Sequence, residues 1–350
     1  MINRSFFLSL MIPLVLSKNV LQAQMTTTVS FDCKDSIPAW MAQSKVPAVG
    51  VGIIEDGRIK TIQVFGDLRE HVPAPANTLF NVASLTKPIT AMLTLKLVNA
   101  GKWDLDEPLS KYWIDPDLKG DPRYEKITTR IILSHRTGFP NWRSNSASKK
   151  LGFDFEPGTK FGYSGEGFEY LRRALEKKFG ETLQQLADSI LFQPLGMKDT
   201  RYGWAPQLDS SRYAVPHDDK GAAIDGKKSA TINAADWLIT TAADYTAFGT
   251  YVLHEAGLSK QLFNDMITPE DTIKNGPPLE TMGLCWEVIK DLPGGEYLLM
   301  HTGHDDGVFT LILLLPKSGR GLVVLTNGEN GMGVIVPILK ATMQIKELTH

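Results

Sequence analysis

Dense apolar runs of strand character lie towards both ends of this chain, and between them apolar positions recur at helical spacing. Residues 49–54 and 59–64 are short Val/Ile runs separated by Glu55-Asp56-Gly57-Arg58, whose Asp-Gly pair suits a tight hairpin. Further strand-like runs follow at 285–289, 308–315 and 321–326. Helical periodicity marks 88–98, which stops at Gly101, and then 167–179, 183–191, 244–255 and 335–348. Asp35-Ser36-Ile37-Pro38 has the cap residue and first-turn proline of a helix start. From about Trp103 to Trp237 the chain turns to helices and loops, punctuated by prolines such as Pro108, Pro140 and Pro194. Strands first, helices inserted and strands last predict an α+β fold. One antiparallel sheet flanked by helices is built from both chain ends (24–102 and 238–350), and a mostly helical lobe (103–237) is inserted between them. The seam between the lobes is the expected place for a ligand.

The first 23 residues stand outside this pattern. Arg4 precedes an acid-free apolar run over 5–17, and Leu21-Gln22-Ala23 offers a small residue for cleavage. This is the layout of a secretory signal peptide cut near Ala23, so the mature protein is expected in a periplasm or outside the cell. The run is shorter than the roughly 20 apolar residues of a membrane span, and no other long apolar segment exists. The 350 residues are 43% hydrophobic and 22% charged, as in an ordinary globular protein. A formal net charge of −2 supplies no attraction for nucleic acid or an anionic membrane. Cys33 and Cys285 are the only cysteines. A single disulfide is open to them in an oxidising compartment, and two free thiols are the expectation.

Ser84-Leu85-Thr86-Lys87 carries the first chemical signal. Residues at i and i+3 share a helix face, so the Lys87 amine can reach the Ser84 oxygen at the mouth of the 88–98 helix. The positive end of the helix dipole favours an alkoxide and disfavours an ammonium there. A lysine that gives up its proton serves as general base to a serine nucleophile. Two more clusters follow, Phe161-Gly162-Tyr163-Ser164-Gly165 and His301-Thr302-Gly303, the latter before the 308–315 strand. In order and spacing the three resemble the motifs of serine β-lactamases and penicillin-binding proteins. The tyrosine motif and the H-T-G form resemble the class C β-lactamase branch, with its related esterases, D-amino-acid peptidases and transesterases. Ile132-Leu133-Ser134-His135-Arg136-Thr137-Gly138-Phe139-Pro140, Pro194-Leu195-Gly196-Met197-Lys198-Asp199-Thr200, Gly283-Leu284-Cys285-Trp286 and Leu325-Thr326-Asn327 extend the resemblance from about Val46 to about Asn327.

The resemblance implies roles at matching positions. Ser84 is the nucleophile, Lys87 the base, and Tyr163 the group that passes a proton to the leaving group. A tyrosinate near neutral pH needs cations beside it, and Lys87 and His301 are the candidates. The backbone N–H groups of Ser84 and His304 would form the oxyanion hole. His301-Thr302-Gly303 would be an edge strand beside the serine, with Gly303 admitting substrate to the backbone. Most relatives have Lys at His301, so the local charge here is expected to depend on pH between about 5 and 8. Trp142 and Arg143 lie on a loop that borders the acyl-side pocket in relatives. A bulky apolar ligand is expected there, with Arg143 on a carboxylate; a plain surface loop is the alternative.

Gly165 is the main departure. The family's motif ends in Asn, whose amide binds the acyl-amide of the substrate and helps hold the lysine; glycine does neither, and Glu166 is the nearest substitute. This favours carboxylic esters, ahead of β-lactams and D-amino-acid peptides, as substrates of a secreted serine acyl hydrolase. An acyltransferase using an alcohol or amine acceptor, and a non-catalytic penicillin- or peptidoglycan-binding module, are the alternatives. His217-Asp218-Asp219 and His304-Asp305-Asp306 invite a metal reading, but adjacent side chains rarely converge on one ion; neither metal nor cofactor is expected, and a small acyl compound is the expected partner.

Overall fold

The computed structural model describes residues 31–224, 228–274 and 280–345. The strands in chain order are β1 (Ala48–Glu55), β2 (Arg58–Arg69), β3 (Val72–Pro73), β4 (Phe80–Asn81), β5 (Arg201–Tyr202), β6 (Leu238–Thr240), β7 (Asp271–Lys274), β8 (Glu280–Met282), β9 (Glu287–Leu292), β10 (Glu296–Asp305), β11 (Val308–Leu315) and β12 (Arg320–Thr326). The α-helices are α1 (Ile37–Ser44), α2 (Thr86–Asn99), α3 (Thr129–Leu133), α4 (Gly165–Phe179), α5 (Leu183–Ala187), α6 (Gln193–Leu195), α7 (Ala242–Leu253), α8 (Lys260–Met266) and α9 (Met332–Met343). Nine strands form one antiparallel sheet in the order β3-β2-β1-β12-β11-β10-β9-β8-β7, while β4, β6 and β5 make a small second sheet. The α+β architecture expected from the hydrophobic pattern is therefore observed, with N-terminal β1 paired directly to C-terminal β12.

The two central strands show why. Every residue of β11 and β12 is buried, because helices cover both faces of the sheet. Alternate side chains point to opposite faces. Leu311, Leu313 and Leu315 meet α1 and α9 in one core, and Ile312 and Leu314 join α7 and α2 in the other. That second core runs on without a break to Leu133, Phe168 and Leu191 of the helical segment. The helix α2 is buried on nearly all sides, as the position of a helix at the centre of the molecule requires.

Some expected boundaries move. The 183–191 helix is one α turn followed by a π-helical turn, Asp188–Phe192. The strand expected at 285–289 starts at Glu287, because Cys285 adopts a left-handed φ of 72° in the turn before it. Cys33 and Cys285 are both free thiols, the second fully buried. The expected signal peptide lies outside the described residues. Among those described, no helix is long and apolar enough to cross a membrane.

Two glycines of β1 set how closely α7 lies on the sheet. A Cβ on Gly50 would stand 3.0 Å from Ala242 Cβ, and one on Gly52 would collide with Thr246. We expect Gly52→Ala to cost about 1–3 kcal/mol, as overpacking does, lowering the urea midpoint with the m-value unchanged. Adding Thr246→Ala should recover part of the loss; no recovery would place the strain elsewhere.

Candidate active site

The site is built on a turn that strains the backbone. Ala83 has φ of 48°, left-handed for a residue with a side chain, and it opens the 3₁₀ turn Ala83–Leu85 that carries Ser84 into α2. The Asn81 side chain accepts from Ala83 N (3.0 Å). Thr310 of β11 donates to Val82 O (2.9 Å), Tyr245 of α7 donates to Leu85 O (2.7 Å), and Val82 N donates to Leu238 O of β6 (3.1 Å). Thr86 ties the turn to the same strand, donating to Ala83 O (2.6 Å) and accepting from Leu238 N (3.0 Å). Elements from three parts of the chain thus hold Ser84 in place, half-exposed.

Lys87 lies one turn on, buried, with its amine 2.9 Å from Ser84 Oγ and 2.9 Å from the Ala235 carbonyl. Burial lowers its pKa to about 8, opposed by the Asp236 carboxylate nearby. As a neutral amine, Lys87 can donate to Ala235 O and accept the Ser84 proton on its lone pair. Tyr163 shares a hydrogen bond with Ser84, and its ring lies beneath the Lys87 amine at 4.7 Å. Burial pushes the phenol well above its ordinary range, outweighing the Ser84 hydrogen bond. The tyrosinate expected from the resemblance is therefore not the resting form: Tyr163 holds its proton and is placed to donate it. His135 stacks on Tyr163 at 4.3 Å and accepts from Ser164 N through Nδ1 (3.1 Å). Burial and the nearby Lys87 keep it neutral.

Within β10, residues 301–305 pair on one side alone, with β11, so His301-Thr302-Gly303 lie on an edge of the sheet as expected, while two other expectations for this segment change. His301 is buried there, and desolvation with the Lys87 charge lowers its pKa to about 3. It is neutral across the physiological range, so it neither supplies a second cation nor switches between pH 5 and 8. Gly303 faces the turn that carries Ser84: a Cβ there would collide with Val82 O and the Thr310 hydroxyl. Its lack of a side chain lets the strand pack on the turn, not substrate on the strand. Thr302 is partly exposed and its carbonyl accepts from His301 Nδ1 (2.7 Å). The side chain of His304 turns away, to Glu329 (3.0 Å) and the Phe309 ring.

On the other wall, Gly165 opens α4. A Cβ at this position would stand 2.6 Å from Cη2, 2.7 Å from Cζ2 and 2.9 Å from Cζ3 of Trp142. The indole thus fills the volume a larger residue would need. Arg143 is not free for a substrate carboxylate, because Asp115 (2.8 Å), Asp117 (3.2 Å) and Glu166 (2.8 Å) already hold its guanidinium. Glu166 is spent on the same cluster and does not replace the missing Asn. Among the described residues no three His, Cys, Asp or Glu side chains form a metal cluster. Asp218 instead caps its own loop through Lys220 N and Ala222 N.

Asp236 was not singled out from sequence. Burial and Asp305 raise its pKa to about 7, and it is the acid whose charge acts on Lys87. No local motif marks it, since the Ala235–Lys87 contact that brings it in spans 148 residues of chain.

Comparison with known proteins bears on the family and the fold. A family model described as Beta-lactamase matches residues 34–337. Protein flp of Staphylococcus aureus is 23% identical over 331 residues, 87% of this chain and 63% of its own length, so the chain spans under two thirds of that relative. The D-alanyl-D-alanine-carboxypeptidase/endopeptidase AmpH of Escherichia coli is 24% identical over 311 residues, covering 78% of this chain and 77% of its own. The solved D-alanine carboxypeptidase AmpC of Burkholderia cenocepacia superposes with a TM-score of 0.73 at 22% identity, over 91% of this chain and 98% of that one.

The electrostatics set a pH dependence. Lys87 must be neutral to accept the Ser84 proton, so kcat/KM should rise with pH through an apparent pKa near 8. The Asp236 carboxylate stabilises the ammonium, so Asp236→Asn should lower the Lys87 pKa and shift this limb to lower pH. A limb that stays put or moves up would show that Asp236 does not act on the base.

Proposed function

The chain belongs to the Beta-lactamase family of serine hydrolases, and from that premise we propose that it is an exported acyl hydrolase acting on carboxylic esters through an acyl-enzyme on Ser84. Ser84 Oγ bonds to the ester carbonyl carbon while Lys87 takes its proton. The tetrahedral oxyanion meets the backbone N–H groups of Ser84 and His304; such a donor is typically worth about 2.7–4 kcal/mol. Collapse breaks the ester C–O bond as Tyr163 gives its proton to the departing alkoxide, and net transfer of one proton from Lys87 to Tyr163 restores both. Water then repeats the sequence on the acyl-enzyme and releases the acid.

The observation that carries the ester preference is the Gly165–Trp142 contact. An amide substrate presents an N–H and a carbonyl that need partners once desolvated, and here an indole ring stands where a polar side chain would supply them. A simple ester has no acyl-amide to satisfy. Two relatives carry names that point to D-alanyl peptides, which favours a second reading as a D-amino-acid peptidase.

A fluorophosphonate should add once, to Ser84, by intact-mass analysis, and Ser84→Ala should abolish both labelling and ester turnover; a persistent adduct would remove Ser84 as nucleophile. Substrate class is read from kcat/KM for p-nitrophenyl butyrate, nitrocefin and a D-alanyl-D-alanine peptide. Gly165→Asn alone should not help the amides, because Trp142 occupies the space. With Trp142→Ala added, the amide-to-ester ratio should rise by about 5- to 150-fold, the value of one good hydrogen bond of roughly 1–3 kcal/mol. Efficient turnover of nitrocefin or the peptide by the wild-type protein would overturn the ester preference.

A further inference from the structure

The two His-Asp-Asp segments, 217–219 and 304–306, meet in the fold. The second closes the β10–β11 hairpin, in which His304 pairs with Phe309 and Asp305 with Val308. Among the described residues this end of β10 has no strand on its other side, so the sheet fixes His304 from one side alone. Gly307 turns the hairpin with φ of 73° and packs on the first segment. A Cβ there would stand 2.7 Å from His217 N and 2.8 Å from Ile224 Cδ1, and His217 N donates to Gly307 O (3.4 Å).

Glu329, just past β12, joins both segments. Its Oε1 accepts from His304 Nε2 (3.0 Å), its Oε2 accepts from Gly307 N (2.8 Å), and its own backbone N–H donates to His217 O (2.9 Å). The turn that carries Glu329 is itself fastened to the first segment. Asn327 Nδ2 donates to Val215 O (2.8 Å) and Asn330 Nδ2 to Asp219 O (2.9 Å). The Phe309 ring stacks on the His304 imidazole at 4.7 Å. His304 and Glu329 keep 49% and 34% of their side chains exposed, and ion pairs so placed add little to folding. What this one fixes is position.

Position matters at His304, because an oxyanion donor works only when it stands about 2.7–3.1 Å from the oxygen it stabilises. The other donor of the pair, Ser84 N, belongs to the 83–85 turn. The hairpin is coupled to that turn: the Asp305 carboxylate accepts from the Asn81 side chain, whose Oδ1 accepts from Ala83 N (3.0 Å). The Ser84 donor is held by the many bonds to its turn. The His304 donor sits at a hairpin end, and Glu329 grips that end through a side chain and a backbone amide at once.

We propose that Glu329 is a positioning residue: by gripping the His304 imidazole and the Gly307 N–H together, it aims the His304 backbone N–H at the oxyanion. The proposal rests on the oxyanion-hole reading of Ser84 and His304, and its test separates the two. The probes are p-nitrophenyl butyrate and its thiono analogue, in which sulfur replaces the carbonyl oxygen. Sulfur is larger and a weaker acceptor, so the wild type should favour the oxo-ester more strongly than hydroxide in solution does. Removing one oxyanion donor typically costs about 10²–10³ in kcat, and a donor present but mis-aimed forfeits part of that. Glu329→Ala should therefore lower kcat on the oxo-ester by about tenfold or more with KM little changed, and lower the oxo-to-thiono ratio by a similar factor. Glu329→Gln keeps an acceptor for Gly307 N; it should shift the ratio in the same direction by less, and it decides the question if the alanine variant does not fold. A ratio unchanged in the variants, whatever happens to kcat, overturns the positioning role and leaves the oxyanion-hole reading standing. A wild type with no oxo preference beyond that of hydroxide overturns the oxyanion-hole reading itself, and the role of Glu329 with it.

Discussion

The left-handed Ala83 is the constraint on which the rest of the site depends. A non-glycine residue in that region costs on the order of 1–3 kcal/mol and persists only where its surroundings over-determine it. Here hydrogen bonds donated by Thr310 and Tyr245 and accepted by Asn81 and β6 do so. Apart from Asn81 they come from elements distant in the chain, so the turn that presents Ser84 is held jointly by the large sheet, α7 and the small second sheet. Gly303 belongs to the same constraint, since any side chain there would push β10 off the turn.

Desolvation then decides the protonation states. Burial lowers Lys87 to about 8 and His301 to about 3, while the Tyr163 phenol is pushed up. Each moves towards its neutral form, as burial away from water demands. Asp236 acts in the opposite sense on Lys87. The result is a lysine near its deprotonation point beside a protonated tyrosine, one group ready to accept a proton and the other to give one, both within reach of Ser84. A second cation in place of His301 would disturb this balance.

The wall formed by Trp142 and Gly165 illustrates how an omitted side chain is compensated from elsewhere. A glycine at the start of α4 would leave a hole near Tyr163; the indole from a neighbouring loop fills it. The exchange replaces a polar position by an aromatic surface, and it makes the two residues a unit: neither can be restored to another type without the other.

Much of this was legible in the sequence. Strand-like runs at both ends and helical spacing between them determined the α+β fold, because alternation and 3.6-residue periodicity are local properties of any element that buries a face. That Ser84, Lys87 and Tyr163 come together was legible because they sit in short motifs, and the i, i+3 spacing brings the Lys87 amine to 2.9 Å from Ser84 Oγ. Charge states and free space were not. The neutral His301, the role of Asp236, the pairing of Arg143 with Asp115, Asp117 and Glu166, and the Trp142 ring over Gly165 all arise from residues brought together by the fold. Local pattern determines which residues a helix or strand presents; only packing decides how dry each becomes and what already occupies the space beside it.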